Sequence, residues 1–417
     1  MSSLSVFSDL ISSFPTWESL SAHLKSREGG ALRIEDNSTP ENPFAVIRYV
    51  KGQSVMDMPH VGAFRSVVWD TLEHRPVSVC PVKSEDGESV PASASESTDG
   101  FVMTHFVDGV MIGMYYDNYS GQWRIHTRST LDAKCRYFSN AHTFQEMFTV
   151  ASRTLDYDAL DKTCCYIWVL QHPENRIVVS VNMPRITCVQ KGKYTADGGF
   201  AILPLDDTQY AVRTISGLKT WTEVKARVAE WNARFKHNAQ GIVMQELATG
   251  RRWKLRTAEY NRVRLLRGNS PRRDYLMMDC WRRGLLRDYI TFYPEERVIA
   301  DALVARWKHI TNDVYRMYVE VFKARKMDKS AIPPKYRPLV FGLHGKYLET
   351  LKPAGKSVDW KAAQDFMNER DTAQMLFVLN WEVRQAAREM GAILIPIEPP
   401  VSVPSTATAE AKEDETA

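Results

Sequence analysis

The chain has 417 residues, of which 44% are hydrophobic and 25% charged, with a net charge of +4. A single core stops growing near ~250–300 residues, so two or three globular domains are expected. No apolar run approaches the ~18–20 residues of a membrane span, and the N-terminal residues lack the basic and apolar segments of a secretion signal; no membrane partner is expected.

In chain order, Trp17, Leu20 and Leu24 stand at helical spacing within the first 35 residues. A strand is expected over Phe44–Val50. Residues 84–99 are polar and of low complexity, and a disordered insertion is expected there because they cannot bury enough apolar surface. Apolar runs at 101–106, 110–116 and 122–127, broken by Asp108-Gly109 and by residues 117–121, read as a meander of antiparallel strands. Helices are expected at 141–156 and 220–236, the second opened by the capping box Thr220-Trp221-Thr222-Glu223.

Beyond residue 276 the texture turns helical. Leu303, Trp307, Ile310, Val314, Met317 and Val321 form a core stripe, Ile332-Pro333-Pro334 interrupts it, and helices follow at 336–351 and 359–390. Residues 396–417, rich in Pro, Ala, Thr and Glu, read as a disordered tail. The six cysteines have no Cys-x-x-Cys spacing, so neither zinc nor a disulfide framework is suggested. A reducing intracellular compartment, cytoplasm or nucleus, is expected, with a virus particle as an alternative. The histidines show no triad or metal spacing and are read as structural.

Five segments occur in an order that carries a resemblance. They are Phe106-Val107-Asp108-Gly109; Trp123 to Ser129; Trp168-Val169-Leu170 with Pro173-Glu174-Asn175-Arg176-Ile177-Val178; Gln240-Gly241-Ile242-Val243; and Trp253-Lys254-Leu255-Arg256-Thr257 with Tyr260. Together they resemble the adenylation domain of phage-type ATP-dependent RNA ligases, members of the covalent nucleotidyltransferase superfamily, over about residues 40–275. The resemblance implies an α+β fold: a nucleotidyltransferase domain of antiparallel sheets flanked by helices over 1–275, then an all-helical domain over 276–395. It implies nucleotide or phosphate contacts from Arg65, Lys83, Asp108, Gly109, Arg128, Lys254 and Arg256.

The departures share a chemistry. The family lysine that attacks ATP is replaced by Phe106, which has no amine with which to form a lysyl-adenylate. Two family glutamates are replaced by Val169 and Gln240, and a neutral amide is a poor partner for a hard divalent cation. The cations are retained, and Arg256 stands where the family has lysine. His105 is expected to face away from the pocket, because successive strand side chains alternate, and Lys83 already has an implied phosphate contact.

Arg251, Arg252, Trp253, Arg262, Arg264 and Arg267 belong to a basic, aromatic-interleaved stretch expected to bind RNA. Three readings follow. The leading one is a pseudoenzyme that binds RNA or nucleotide phosphates, in an RNA-processing assembly. The second is an active ligase with a relocated lysine, which alone would require ATP and Mg2+. The third is a structural or scaffolding protein whose surfaces bind protein partners.

Overall fold

The computed structural model describes residues 2–91, 96–138, 141–206 and 208–390; the tail expected over 396–417 lies outside the described residues. The structure is α+β, and the chain divides into two compact units, Met1–Leu265 and a second that begins at Leu266. Among the described residues no helix is long and apolar enough to cross a membrane.

Among its described residues the first unit holds three sheets. One is antiparallel, in spatial order β2 (Arg33–Asp36), β3 (Phe44–Arg48), β4 (Val67–Asp70) and β5 (Arg75–Val79). A six-stranded sheet runs β1 (Ser2–Leu4), β12 (Phe200–Leu203), β11 (Arg185–Tyr194), β10 (Cys165–Gln171), β8 (Val110–Asp117) and β9 (Gln122–His126). The third runs β6 (Glu85–Asp86), β14 (Arg252–Arg256), β13 (Gly241–Glu246) and β7 (Phe101–His105), with β6 parallel to β14.

Helices α1 (Val6–Ser13) and α2 (Trp17–Lys25) close the first core, and Trp17, Leu20 and Leu24 are buried as their spacing predicts. That core also takes Trp69, Met111, Cys165 and Ile167, whereas Ile112, Cys164, Tyr166 and Trp168 pack on the opposite face with α3 (Phe144–Ala151). Strand alternation therefore divides the adjacent Cys164 and Cys165 between two cores. All six cysteines are free thiols.

The third sheet packs one face on α4 (Trp221–Phe235), through Met103, Ile242, Met244 and Trp253 against Trp221, Val224, Val228 and Trp231. Thr220 caps α4 by accepting from the Glu223 amide, but the Glu223 carboxylate accepts from the Lys219 amide, so the expected capping box is half formed.

Two expectations are corrected in this region. β7 and β8 do not form a meander: β7 pairs with β13 and β8 pairs with β9 and β10, so the chain changes sheet at Asp108-Gly109. The reason is long-range anchoring. The Asp108 carboxylate accepts from the Val178 and Val179 amides, and Gly109 lies so close to the Leu170 carbonyl that a Cβ there would meet it at 2.5 Å.

The second correction concerns the expected disordered insertion, of which residues 92–95 lie outside the described residues. Glu85 and Asp86 form β6, the Trp253 indole donates to the Ser89 carbonyl, and the Thr98 hydroxyl donates to the Leu218 carbonyl. Partners distant in sequence supply the order that local composition does not.

Helix α5 (Ala258–Arg267) precedes the second unit, which is helical among the described residues and contains α6 (Arg273–Arg282), α7 (Leu286–Phe292), α8 (Arg297–Tyr318) and α9 (Arg337–Lys346). The predicted stripe from Leu303 to Met317 is buried in α8, and Val321 in the turn after it. The single helix expected at 359–390 is three: α10 (Trp360–Asn368), α11 (Thr372–Leu379) and α12 (Trp381–Glu389). The Asp371 side chain accepts from the Gln374 amide and restarts the helix there.

Candidate functional site

Because Trp253 and Leu255 face α4, alternation turns Arg252, Lys254 and Arg256 to the opposite face of the third sheet. On neighbouring strands Val243 lies opposite Lys254 and Gly241 opposite Arg256. The His105 ring lies 4.6 Å from that of Trp231, tilted by 32°, on the helix side, as alternation predicts, so the next residue points the other way. That residue is Phe106. Its amide donates to the Gly241 carbonyl, and the Arg256 guanidinium lies 5.0 Å above its ring. Phe106 thus presents an apolar ring covered by a cation.

The segment after Phe106 is held by Asp108. Besides the Val178 and Val179 amides, its carboxylate accepts a 2.6 Å hydrogen bond from the Tyr260 hydroxyl. Burial pushes the Asp108 carboxyl above its ordinary range, and it likewise raises the Tyr260 hydroxyl. Val169 lies against Gly109, while Gln240 is buried with its Oε1 lacking a hydrogen-bond partner. Phe106, Asp108, Gly109, Val169, Gln240 and Arg256 therefore gather around one stretch of backbone, with Lys254 on the same sheet face as Arg256.

The remaining predicted phosphate contacts divide. Arg128 donates to the carbonyls of Tyr49 and Arg65 and stacks 4.9 Å above the Tyr49 ring, which makes it a brace for the Arg65 segment. Lys83 is exposed, with its amide bonded to the Gly62 carbonyl.

The expected RNA stripe is only partly at the surface: Arg251 and Arg262 are exposed, whereas Trp253, Tyr260 and Arg267 are buried. Trp253 is 0% exposed in the α4 core, and Tyr260, the other aromatic of that stretch, is 1% exposed and bonded to Asp108. Arg267 is 2% exposed and held among Tyr289, Tyr293 and Glu296, which removes it from phosphate. Arg251 forms a bidentate pair with Glu85, and Arg262 pairs with Glu259. Arg264 is half-buried and acts electrostatically on Asp108. Burial of this stretch was hidden by its charge density: its aromatics alternate inward while its cations face outward or pair.

Arg252 is the residue whose place sequence reasoning misjudged most. Its Nε is sealed from solvent without a hydrogen-bond partner, although the residue as a whole is partly exposed. Burial, and then the like charge of Arg65, push its guanidinium down to about 9, so it remains protonated at neutral pH. Among the described residues no hydrogen bond or ion pair engages this guanidinium. The like charge of Arg65 on Arg252 is one that an anion between them would relieve. Period-two alternation from Lys254 was the signal that could have placed Arg252 on the same sheet face as Lys254 and Arg256.

No protein-family profile and no curated protein matches the chain. Among solved structures it is similar to two forms of an archaeal ATP-dependent RNA ligase. Form 1 is 15% identical with a TM-score of 0.40, and form 2 is 13% identical with a TM-score of 0.41; each comparison covers 90% of this chain and 98% of the other. At these values neither similarity assigns a role to any residue here.

Proposed function

We propose that the protein is a non-catalytic relative of the covalent nucleotidyltransferases whose cleft binds phosphate groups of a nucleotide or an RNA. Arg65, Arg252, Lys254 and Arg256 supply the cations of this site, and its place is that of a binding subunit in RNA processing. The observation that carries the reading is the Arg256 guanidinium 5.0 Å above the Phe106 ring, where nucleotidyl transfer needs an uncharged amine. Val169 and the neutral Gln240 offer no charged oxygen to a divalent ion, so the donor set does not fit one and no step is routed through a metal.

The test is incubation with α-labelled ATP and magnesium or manganese, followed by denaturing electrophoresis. No covalent band is expected, while ATP or pyrophosphate should raise the melting temperature of the wild type more than that of Arg256→Glu. A protein-AMP band would overturn the reading. Absence of any anion-dependent stabilisation would equally reject it.

A further inference from the structure

The second unit is markedly basic, with 23 Lys and Arg against 16 Asp and Glu between residues 266 and 390. Its cations concentrate where α8 ends. There the helix widens into a π turn, Val319–Lys323, and the chain leaves through Arg325, which takes the left-handed φ of 54°. Helix α9 also ends in a π turn, Tyr347–Leu351. Turns of this kind are uncommon and recur at functional sites.

Aromatic side chains from both helix ends meet at this point. The Phe322 and His344 rings stack at 3.8 Å and 10°, and Phe322 also meets Phe341 at 6.2 Å and 78°. His344 Nδ1 is buried without a hydrogen-bond partner. Phe341 remains 41% exposed, an apolar ring presented to solvent.

The cations adjoin the same cluster. The Lys329 ammonium lies 5.5 Å above the Phe322 ring, and an open depression of about 410 Å³ is lined by Val321, Arg325, Lys326, Met327, Asp328 and Lys329. Asp328 is turned to the Ser330 amide and hydroxyl. Among the described residues Arg325, Lys326 and Lys329 make no ion pair. An exposed ring packed on Phe322, with Lys329 over that same Phe322 and Arg325 and Lys326 lining the adjoining depression, suits a ligand with both a flat π face and closely spaced negative charge.

We propose that this surface is a binding site for single-stranded nucleic acid, in which an unpaired base stacks on Phe341 and the flanking phosphates lie on Lys329, Arg325 and Lys326. Base stacking on an exposed aromatic, combined with cations along the backbone, is sufficient for sequence-tolerant binding. The site is independent of the cleft and does not rest on the function proposed for it.

The test is fluorescence anisotropy of the full chain with a short labelled single strand, in RNA and DNA versions of one sequence. Phe341→Ala should weaken binding about tenfold, and Phe341→Leu should weaken it comparably while preserving the apolar contact with Phe322. Arg325→Glu with Lys329→Glu should weaken binding and flatten its salt dependence. Pyrophosphate, the probe of the Arg256 site, should stabilise Phe341→Ala as much as the wild type. Equal affinity in both folded Phe341 variants would overturn the proposal, as would equal competition by an abasic strand of the same length. A surface that captures a protein partner and no single strand would overturn it too.

Discussion

The Tyr260 hydroxyl donates a 2.6 Å hydrogen bond to the Asp108 carboxylate, joining the segment after β7 to helix α5 across 152 residues of sequence. The same carboxylate takes the Val178 and Val179 amides, so one buried side chain fixes three segments around Phe106. Removing the hydroxyl leaves a buried charge short of a donor, at a cost of about 1–3 kcal/mol. Tyr260→Phe should therefore lower the urea midpoint without changing the slope of the transition, since the surface exposed on unfolding is the same.

Asp108 also sets a pH dependence. Burial raises its folded-state pKa above the unfolded value, so its protonated form stabilises the fold at low pH. That contribution is lost as pH rises through the raised pKa. Asp108→Asn keeps an acceptor for the two amides and removes the buried charge. It should be at least as stable as the wild type at neutral pH and lack this decline, as measured by unfolding at a series of pH values. A large loss of stability at pH 7 would show that the charge itself holds the segments.

His126 acts in the opposite sense. It is fully buried, its Nδ1 donates to the Thr127 carbonyl and its Nε2 lies 2.8 Å from the Ser78 hydroxyl. Gly113 leaves the space, since a Cβ there would fall 1.9 Å from Nε2. Burial lowers the pKa of the ring from 6.5 to about 4. The unfolded chain takes up the proton first, so stability present above pH 6.5 is lost as pH falls towards 4. The full shift is worth about 3 kcal/mol. In His126→Gln the acid-side slope should shrink by a comparable amount.

Local pattern in the sequence was sufficient for helix α2, the stripe of α8 and the outward turn of His105. Each depends on periodicity within one element. The parting of β7 and β8 was not legible, because Asp108-Gly109 has the composition of a hairpin turn and its real partners are Leu170, Val178, Val179 and Tyr260. Phe106, Val169, Gln240 and Arg256 were singled out through ordered motifs, and the structure brings them around one stretch of backbone, whereas in the basic stretch the burial of Trp253, Tyr260 and Arg267 was not legible. Charge along a segment says nothing of which side chains turn inward, and Trp253, Tyr260 and Arg267 all do.

The proposed reading places Phe106 where a nucleotidyltransferase has its attacking amine, and supplying that amine tests it. Phe106→Lys places an ammonium beside Arg256, and Val169 and Gln240 still present no carboxylate. The single variant should give no covalent AMP with α-labelled ATP. The triple variant with Val169→Glu and Gln240→Glu is the one in which a band is to be sought. A strong band from Phe106→Lys alone would show that the two carboxylate positions have been given too much weight.

Arg252 separates stability from binding most sharply. Its guanidinium is partly desolvated, has no engaged partner and is repelled by Arg65, so in the ligand-free protein it costs more than an apolar side chain of similar length. Arg252→Met removes the repulsion and keeps much of the stem volume. The variant should melt higher than the wild type without ligand, yet gain less from added pyrophosphate, because one of the four cations proposed to hold the anion is gone. A cation kept only as a solvated surface charge would give neither effect. Lower stability together with undiminished stabilisation by pyrophosphate would show instead that Arg252 serves the fold, and would take the Arg65–Arg252 pair out of the binding site.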